Sequence, residues 1–226
     1  MNKEQFEKSS LFFYKIIDGI NLRNNKDTVV FDASFCDTVI PEHLAKKYNF
    51  EKIFYLTNKM INIGDHIVPV AIQSNVPFSI MRRKSDLFIS IGGSFNFQPI
   101  YDTIHAIHKS LNAGGKFIIA TYPEIYDSTG RDILNGLSLI SELPIKEKLT
   151  RWNSTVKNAL SNIFFKVETD QIITKVESIH IIEYFKRFEI SKYLFNKEED
   201  TRFFKPIEHL NVDYIISWNI IKGIKI

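Results

Sequence analysis

The chain has a single cysteine, Cys36, in 226 residues. A lone thiol excludes an internal disulfide and suits a reducing compartment, so the expectation is a cytoplasmic protein. Long apolar runs are missing too. No stretch reaches the length that a membrane span requires, and no basic start leads into an apolar segment with a small-residue cleavage site, so neither membrane nor signal peptide is expected. Glycine is scarce, with nine residues. Neither a Gly-x-Gly-x-x-Gly run nor a phosphate loop occurs, which weakens the case for a nucleotide-binding enzyme built on those loops. Charge of one sign is not concentrated. The net +3 comes from 29 basic against 26 acidic residues, with short basic clusters at Lys46-Lys47, Arg82-Arg83-Lys84 and Lys186-Arg187. A nucleic-acid binder gathers such residues on one face, so no nucleic-acid partner is expected. Repeats, low-complexity segments and linkers are also absent. One domain spanning 1–226 is the expectation.

What is present is a regular alternation of short apolar runs with helical spacing. The segment from about Lys3 to Leu22 has Phe12, Ile16 and Ile20 on one stripe and reads as a helix. Thr28 to Ala33 is a β-branched run of the kind found in strands buried on both faces. Asp37 or Thr38 is placed to cap a following helix with Pro41 in its first turn, and Leu44, Ala45 and Tyr48 should face inward. Further strands are expected at Lys52 to Leu56, His66 to Ile72, Asp86 to Ile91 and Lys116 to Ala120. Between the last two, Ile100, Ile104, Ile107 and Leu111 mark one face of a helix that stops at Asn112-Ala113-Gly114-Gly115. Strands recurring every 20 to 30 residues around helices indicate βαβ units and a parallel sheet. The expected fold is therefore α/β, Rossmann-like and doubly wound, in three αβα layers.

Beyond Thr121 the pattern changes. Asp127 to Leu143 and Ile145 to Leu160 read as helices separated by Pro144. Ile163 to Val167 and Gln171 to Val176 read as separate short strands, and Ser178 to Phe188 as an amphipathic helix. Val212 to Gly223 is expected to be a last strand. Residues 122–210 are read as a helical, aromatic-rich cap or acceptor region.

The ordered set Val76-Pro77-Phe78, Asp86-Leu87-Phe88 and Leu111-Asn112-Ala113-Gly114-Gly115-Lys116 resembles the second half of a class I S-adenosylmethionine-dependent methyltransferase. In that family a "Leu-Pro-Phe"-like turn precedes an "Asp-Leu-Val" strand, and a helix ends in "Leu-x-Pro-Gly-Gly" before the fifth strand. The resemblance covers about Val29 to Thr121, and the strand near Trp218 matches the family's final antiparallel strand. It implies S-adenosylmethionine as cofactor and methyl transfer to a small-molecule acceptor. The alternative is a methyltransferase-like binding or scaffolding protein, with a protein partner, that has lost cofactor binding.

The family's first loop is rich in glycine because its backbone must turn tightly beside the cofactor. Here it reads Asp32-Ala33-Ser34-Phe35-Cys36-Asp37-Thr38, without one glycine. The acid that ends strand two in the family falls at Tyr55, Leu56 and Thr57, and the one that contacts adenine falls near Ile72 and Gln73. Taken together, the resemblance implies a cofactor crevice lined by Asp32, Ala33, Ser34, Phe35, Cys36, Tyr55, Leu56, Thr57, Ile72, Gln73, Ser74, Ile91, Gly92 and Gly93.

Each feature also has a plainer reading. Asp32 either lines that pocket or caps the next helix. Gly92-Gly93-Ser94, after strand four, either admits a ligand closely or forms a simple turn. His105 and His108 are three apart, but no third ligand stands at a diagnostic spacing, so no metal is expected. Glu124, Asp127 and Asp132 stand where substrate-facing groups occur beyond strand five, and a preference for acids at helix starts explains them as well. The aromatics Tyr122, Tyr126, Trp152, Tyr184, Phe185, Tyr193, Phe203 and Phe204 either cap the crevice, suiting a sulfonium, or pack in the core. No residue stands out as a catalytic base.

Overall fold

A computed structural model describes residues 14–19, 22, 26–35, 38–58, 60–61, 63–72, 75–141, 144–177 and 213–226. Seven strands form one sheet in the order β3-β2-β1-β4-β5-β7-β6. They are β1 (Val29–Asp32), β2 (Lys52–Thr57), β3 (Ile67–Ala71), β4 (Ser85–Ile91), β5 (Leu111–Tyr126), β6 (Phe165–Glu177) and β7 (Asp213–Ile224). The first five run parallel, and β7 is antiparallel to both β5 and β6. The expected mixed sheet with a closing antiparallel strand is thus present.

The β-branched and aromatic runs lie where both faces of the sheet are covered. Val30, Phe31, Phe88, Ile91, Phe117, Ile119 and Ala120 are wholly buried. Helices connect the strands: α1 (Val39–Lys47), α2 (Val76–Met81), α3 (Ile100–Ser110), α4 (Ile133–Ser141) and α5 (Ile145–Ile163). Asn75 starts α2 by accepting the Phe78 N–H at 2.8 Å, with Pro77 in the first turn, where a missing N–H does no harm. In α5 the residues Leu149, Trp152, Val156, Ala159 and Leu160 recur at helical spacing and are buried. Residues 14–19 are helical, with Ile16 and Ile17 buried.

Several expectations shift. Leu44 and Tyr48 face inward, but Ala45 is exposed. Thr38 is the N-cap of α1 yet makes no side-chain cap bond, and Asp37 lies outside the described residues. Leu111 belongs to β5, not to the preceding helix, and Gly114-Gly115 sit inside that strand's irregular start. The helix expected from Asp127 begins at Ile133. Asp127 Oδ1 instead accepts the N–H groups of Thr129 (2.8 Å) and Arg131 (3.0 Å), closing a turn, and Asp132 Oδ1 accepts the Leu134 N–H at 2.9 Å. The two short strands expected after Ile163 are one long β6, whose polar middle is carried by pairing with β7. The expected helix 178–188 and the stretch 191–204 lie outside the described residues.

Candidate functional site

The chain adds strands in one direction from β1 to β3, then crosses to the other side of β1 with β4. Such a reversal leaves a crevice at the carboxyl ends of the two strands that flank it. Here those ends are Asp32 and Ile91, each leading directly into a loop.

On the β1 side, Asp32 is paired across the sheet with Tyr55 and with Ile89, so the three share a face. Asp32 is 1% exposed. Burial raises its pKa to about 7, against the lowering effect of two Ser34 hydrogen bonds. Those bonds run from the Ser34 N–H (3.0 Å) and hydroxyl (2.5 Å) to Asp32 Oδ1. The Ser34 hydroxyl also accepts the Ile91 N–H at 2.8 Å, and the Ser90 hydroxyl donates to the Ala33 carbonyl at 2.9 Å. One further bond, Ala33 N–H to Ile89 carbonyl at 2.8 Å, extends the ladder past the end of β1. Serine hydroxyls therefore close backbone hydrogen bonds that the strands alone leave open. Asp32 caps no helix; its partner is the loop that follows it.

Phe35 comes next, with φ 59°. A non-glycine residue in the left-handed region is uncommon and points to local constraint. Its ring is half-buried and packs against the core.

On the β4 side, Gly92 takes φ 73° and donates its N–H to the Ala120 carbonyl at 2.9 Å. Gly93 opens a short 3₁₀ turn, Gly93–Asn96. A Cβ on Gly93 would lie 2.4 Å from the Ala33 carbonyl oxygen and 2.9 Å from Phe35 Cδ2. Only glycine lets the two loops meet this closely. The pair is thus more than a simple turn.

The end of β2 offers no acid. Tyr55, Leu56 and Thr57 are all buried, and the Tyr55 hydroxyl donates to the Ile61 carbonyl. Ile72 follows β3 and is half-buried, while Cys36, Gln73 and Ser74 lie outside the described residues. The structure thus sets Asp32, Ala33, Ser34 and Phe35 against Ile91, Gly92 and Gly93.

Beyond β4, Phe95 stacks with Trp152 of α5 at 6.0 Å between ring centroids, and Trp152 Nε1 donates to the Ser94 hydroxyl at 3.5 Å. Farther along β5, the Tyr126 hydroxyl donates to Glu124 at 2.7 Å, and that contact above all pushes its pKa up to about 12. Asp132 pairs with Lys146 at 2.5 Å. Sequence reasoning missed Ser90 and Lys146, and an isolated serine or lysine carries no periodic signal that could have singled it out. His108 packs edge-on against Phe164, with centroids 5.1 Å apart. Among the described residues, no three His, Cys, Asp or Glu side chains are grouped to hold a metal ion, and no helix is long and apolar enough to cross a membrane.

By sequence, no family model and no curated protein matches the chain. By structure, it is similar to a candidate methyltransferase of Bacillus halodurans, with 10% identity over 94% of this chain and 98% of that one, at a TM-score of 0.56. The YcgJ protein of Bacillus subtilis is similar over 95% of this chain and 98% of its own, with 9% identity and a TM-score of 0.53. Phosphoethanolamine N-methyltransferase 2 of Haemonchus contortus, solved with phosphomonomethylethanolamine and S-adenosylhomocysteine, is similar over 93% of this chain, with 11% identity and a TM-score of 0.51. The chain spans about half, 51%, of that enzyme's length. With the sheet order and the antiparallel β7, these likenesses establish the architecture: the chain has the fold of the class I S-adenosylmethionine-dependent methyltransferases.

Proposed function

We propose that the crevice between β1 and β4 is a cofactor site for S-adenosylmethionine, and that the chain transfers a methyl group to a small-molecule acceptor. One observation carries this reading: the strand order reverses between Asp32 and Ile91, the place where sheets of this kind bind their ligands. Structural neighbours solved with S-adenosylmethionine or S-adenosylhomocysteine support it, among them a geranyl diphosphate methyltransferase similar over 96% of this chain, with 10% identity and a TM-score of 0.50. In this reading the cofactor crevice is lined by Asp32 to Cys36, Tyr55 to Thr57, Ile72 to Ser74 and Ile91 to Gly93. Residues 122–210 supply the acceptor side of one domain, in a cytoplasmic setting that suits the lone Cys36.

Some contacts in the crevice weigh against that cofactor. The Ile91 N–H is taken by Ser34, the Tyr55 hydroxyl by Ile61, and Phe35 abuts Gly93. No acid stands at the end of β2 to accept two ribose hydroxyls. These contacts favour a second reading, in which the architecture persists as a binding or scaffolding protein without methyl transfer.

Calorimetric titration with S-adenosylmethionine and S-adenosylhomocysteine separates the two. The methyl-transfer reading expects a Kd below about 100 μM, weakened by a bulky replacement such as Ala33→Leu. Absence of binding at millimolar ligand removes that reading and leaves the second.

A further inference from the structure

We infer that Phe35 is a built-in occupant of the crevice, seated against Gly93, and that a ligand enters only when this side chain swings out. The inference rests on the crevice being the ligand site. Its contacts are independent of which ligand enters.

Three observations carry it. First, the ring stands between the two loops at the strand reversal, since a Cβ on Gly93 would come within 2.9 Å of Phe35 Cδ2. Second, Phe35 holds φ 59°, a conformation that L side chains avoid, so the arrangement persists only because its surroundings impose it. Third, the loop that leads into Phe35 is firmly held. Immediately before Phe35, buried hydrogen bonds tie Ala33 and Ser34 to Asp32, Ile89, Ser90 and Ile91. The loop is thus anchored on one side and strained at the next residue. Turning the Phe35 side chain about its Cα–Cβ bond moves the ring away from Gly93 and leaves that anchor intact.

The plug predicts a specific affinity penalty. When only a fraction of molecules has the crevice open, the apparent Kd rises in inverse proportion to that fraction. Removing the ring while keeping a residue at ease in the left-handed region should lift the penalty. Phe35→Gly and Phe35→Asn both meet that condition.

The test titrates the full native chain, Phe35→Gly and Phe35→Asn with S-adenosylhomocysteine by calorimetry, with melting curves to confirm folding. Having two variants keeps the test informative if one fails to fold. Both variants should bind at least about 10-fold more tightly than the native chain. If the native chain binds and the variants bind equally or more weakly, Phe35 is an ordinary pocket wall; the plug is overturned and the methyl-transfer reading stands. Binding by the variants alone upholds the plug and places the native chain in the second reading. If none of the three binds, both proposals fall.

Discussion

The two lips of the crevice are built by opposite means. On the β4 lip the backbone does the work: Gly92 turns left-handed and bonds Ala120, and Gly93 brings its backbone against the opposite loop. On the β1 lip side chains do it, because Ser34 and Asp32 form buried hydrogen bonds where the sequence has no glycine. The difference teaches that close approach of two loops needs glycine on only one of them. The glycine missing from the first loop is offset by the pair after β4, and that shift leaves room for Phe35.

The largest effect should come from the backbone-built lip. Gly93→Ala places a methyl 2.4 Å from a backbone oxygen that cannot yield easily, and about 3 kcal/mol or more of stability should be lost. For a chain of this size that is a drop in Tm of roughly 6 to 12 °C, readable in a thermal melt. An unchanged Tm would mean the lips do not touch.

On the side-chain-built lip, pH is the lever. The folded chain holds a proton on Asp32 up to about pH 7, whereas the unfolded chain releases it near 3.8. Between those values the folded state binds more protons, so stability falls as pH rises. From pH 5 to pH 8 the loss is about 3 kcal/mol. Denaturant melts of the native chain should follow that slope, and Asp32→Asn should flatten it and be the more stable protein at pH 8. An Asn variant with the native slope would assign the effect to another group.

Smaller effects distinguish the two lips' hydroxyls. Ser34→Ala strands the buried Ile91 N–H and removes a donor to Asp32, which should lower stability by about 2 kcal/mol. Ser94→Ala, on the other lip, removes only a long 3.5 Å contact to Trp152, and about 0.5 kcal/mol is expected. Chemical denaturation of both variants would overturn the comparison if Ser94 proved the costlier loss.

Much of the architecture was legible because buried parallel strands are short apolar runs and little else. Val29 to Asp32, Lys52 to Thr57 and Ser85 to Ile91 stand out on that basis, and Gly92-Gly93 marks the end of β4. Less was legible where local bonding competes with periodicity. Asp127 carries an acidic helix-start signal, yet its carboxylate closes a turn with Thr129 and Arg131, and α4 starts later, at Ile133. The middle of β6, Glu168 to Gln171, is exposed on both faces and lacks alternation, so only pairing with β7 identifies it as strand. At the site, the positions of Asp32, Tyr55 and Gly92 were readable. Their partners were not, because Ser34 to Ile91 and Tyr55 to Ile61 are tertiary bonds that leave no trace in spacing.

The most direct measurement is amide NMR of the full chain during titration with S-adenosylmethionine. If the strand reversal is the ligand site, shifts should concentrate at Ala33, Ser34, Phe35, Ile91, Gly92 and Gly93 and leave Ile172 and Trp218 still. Shifts gathered on β6 and β7, with the crevice amides unmoved at millimolar ligand, would contradict it.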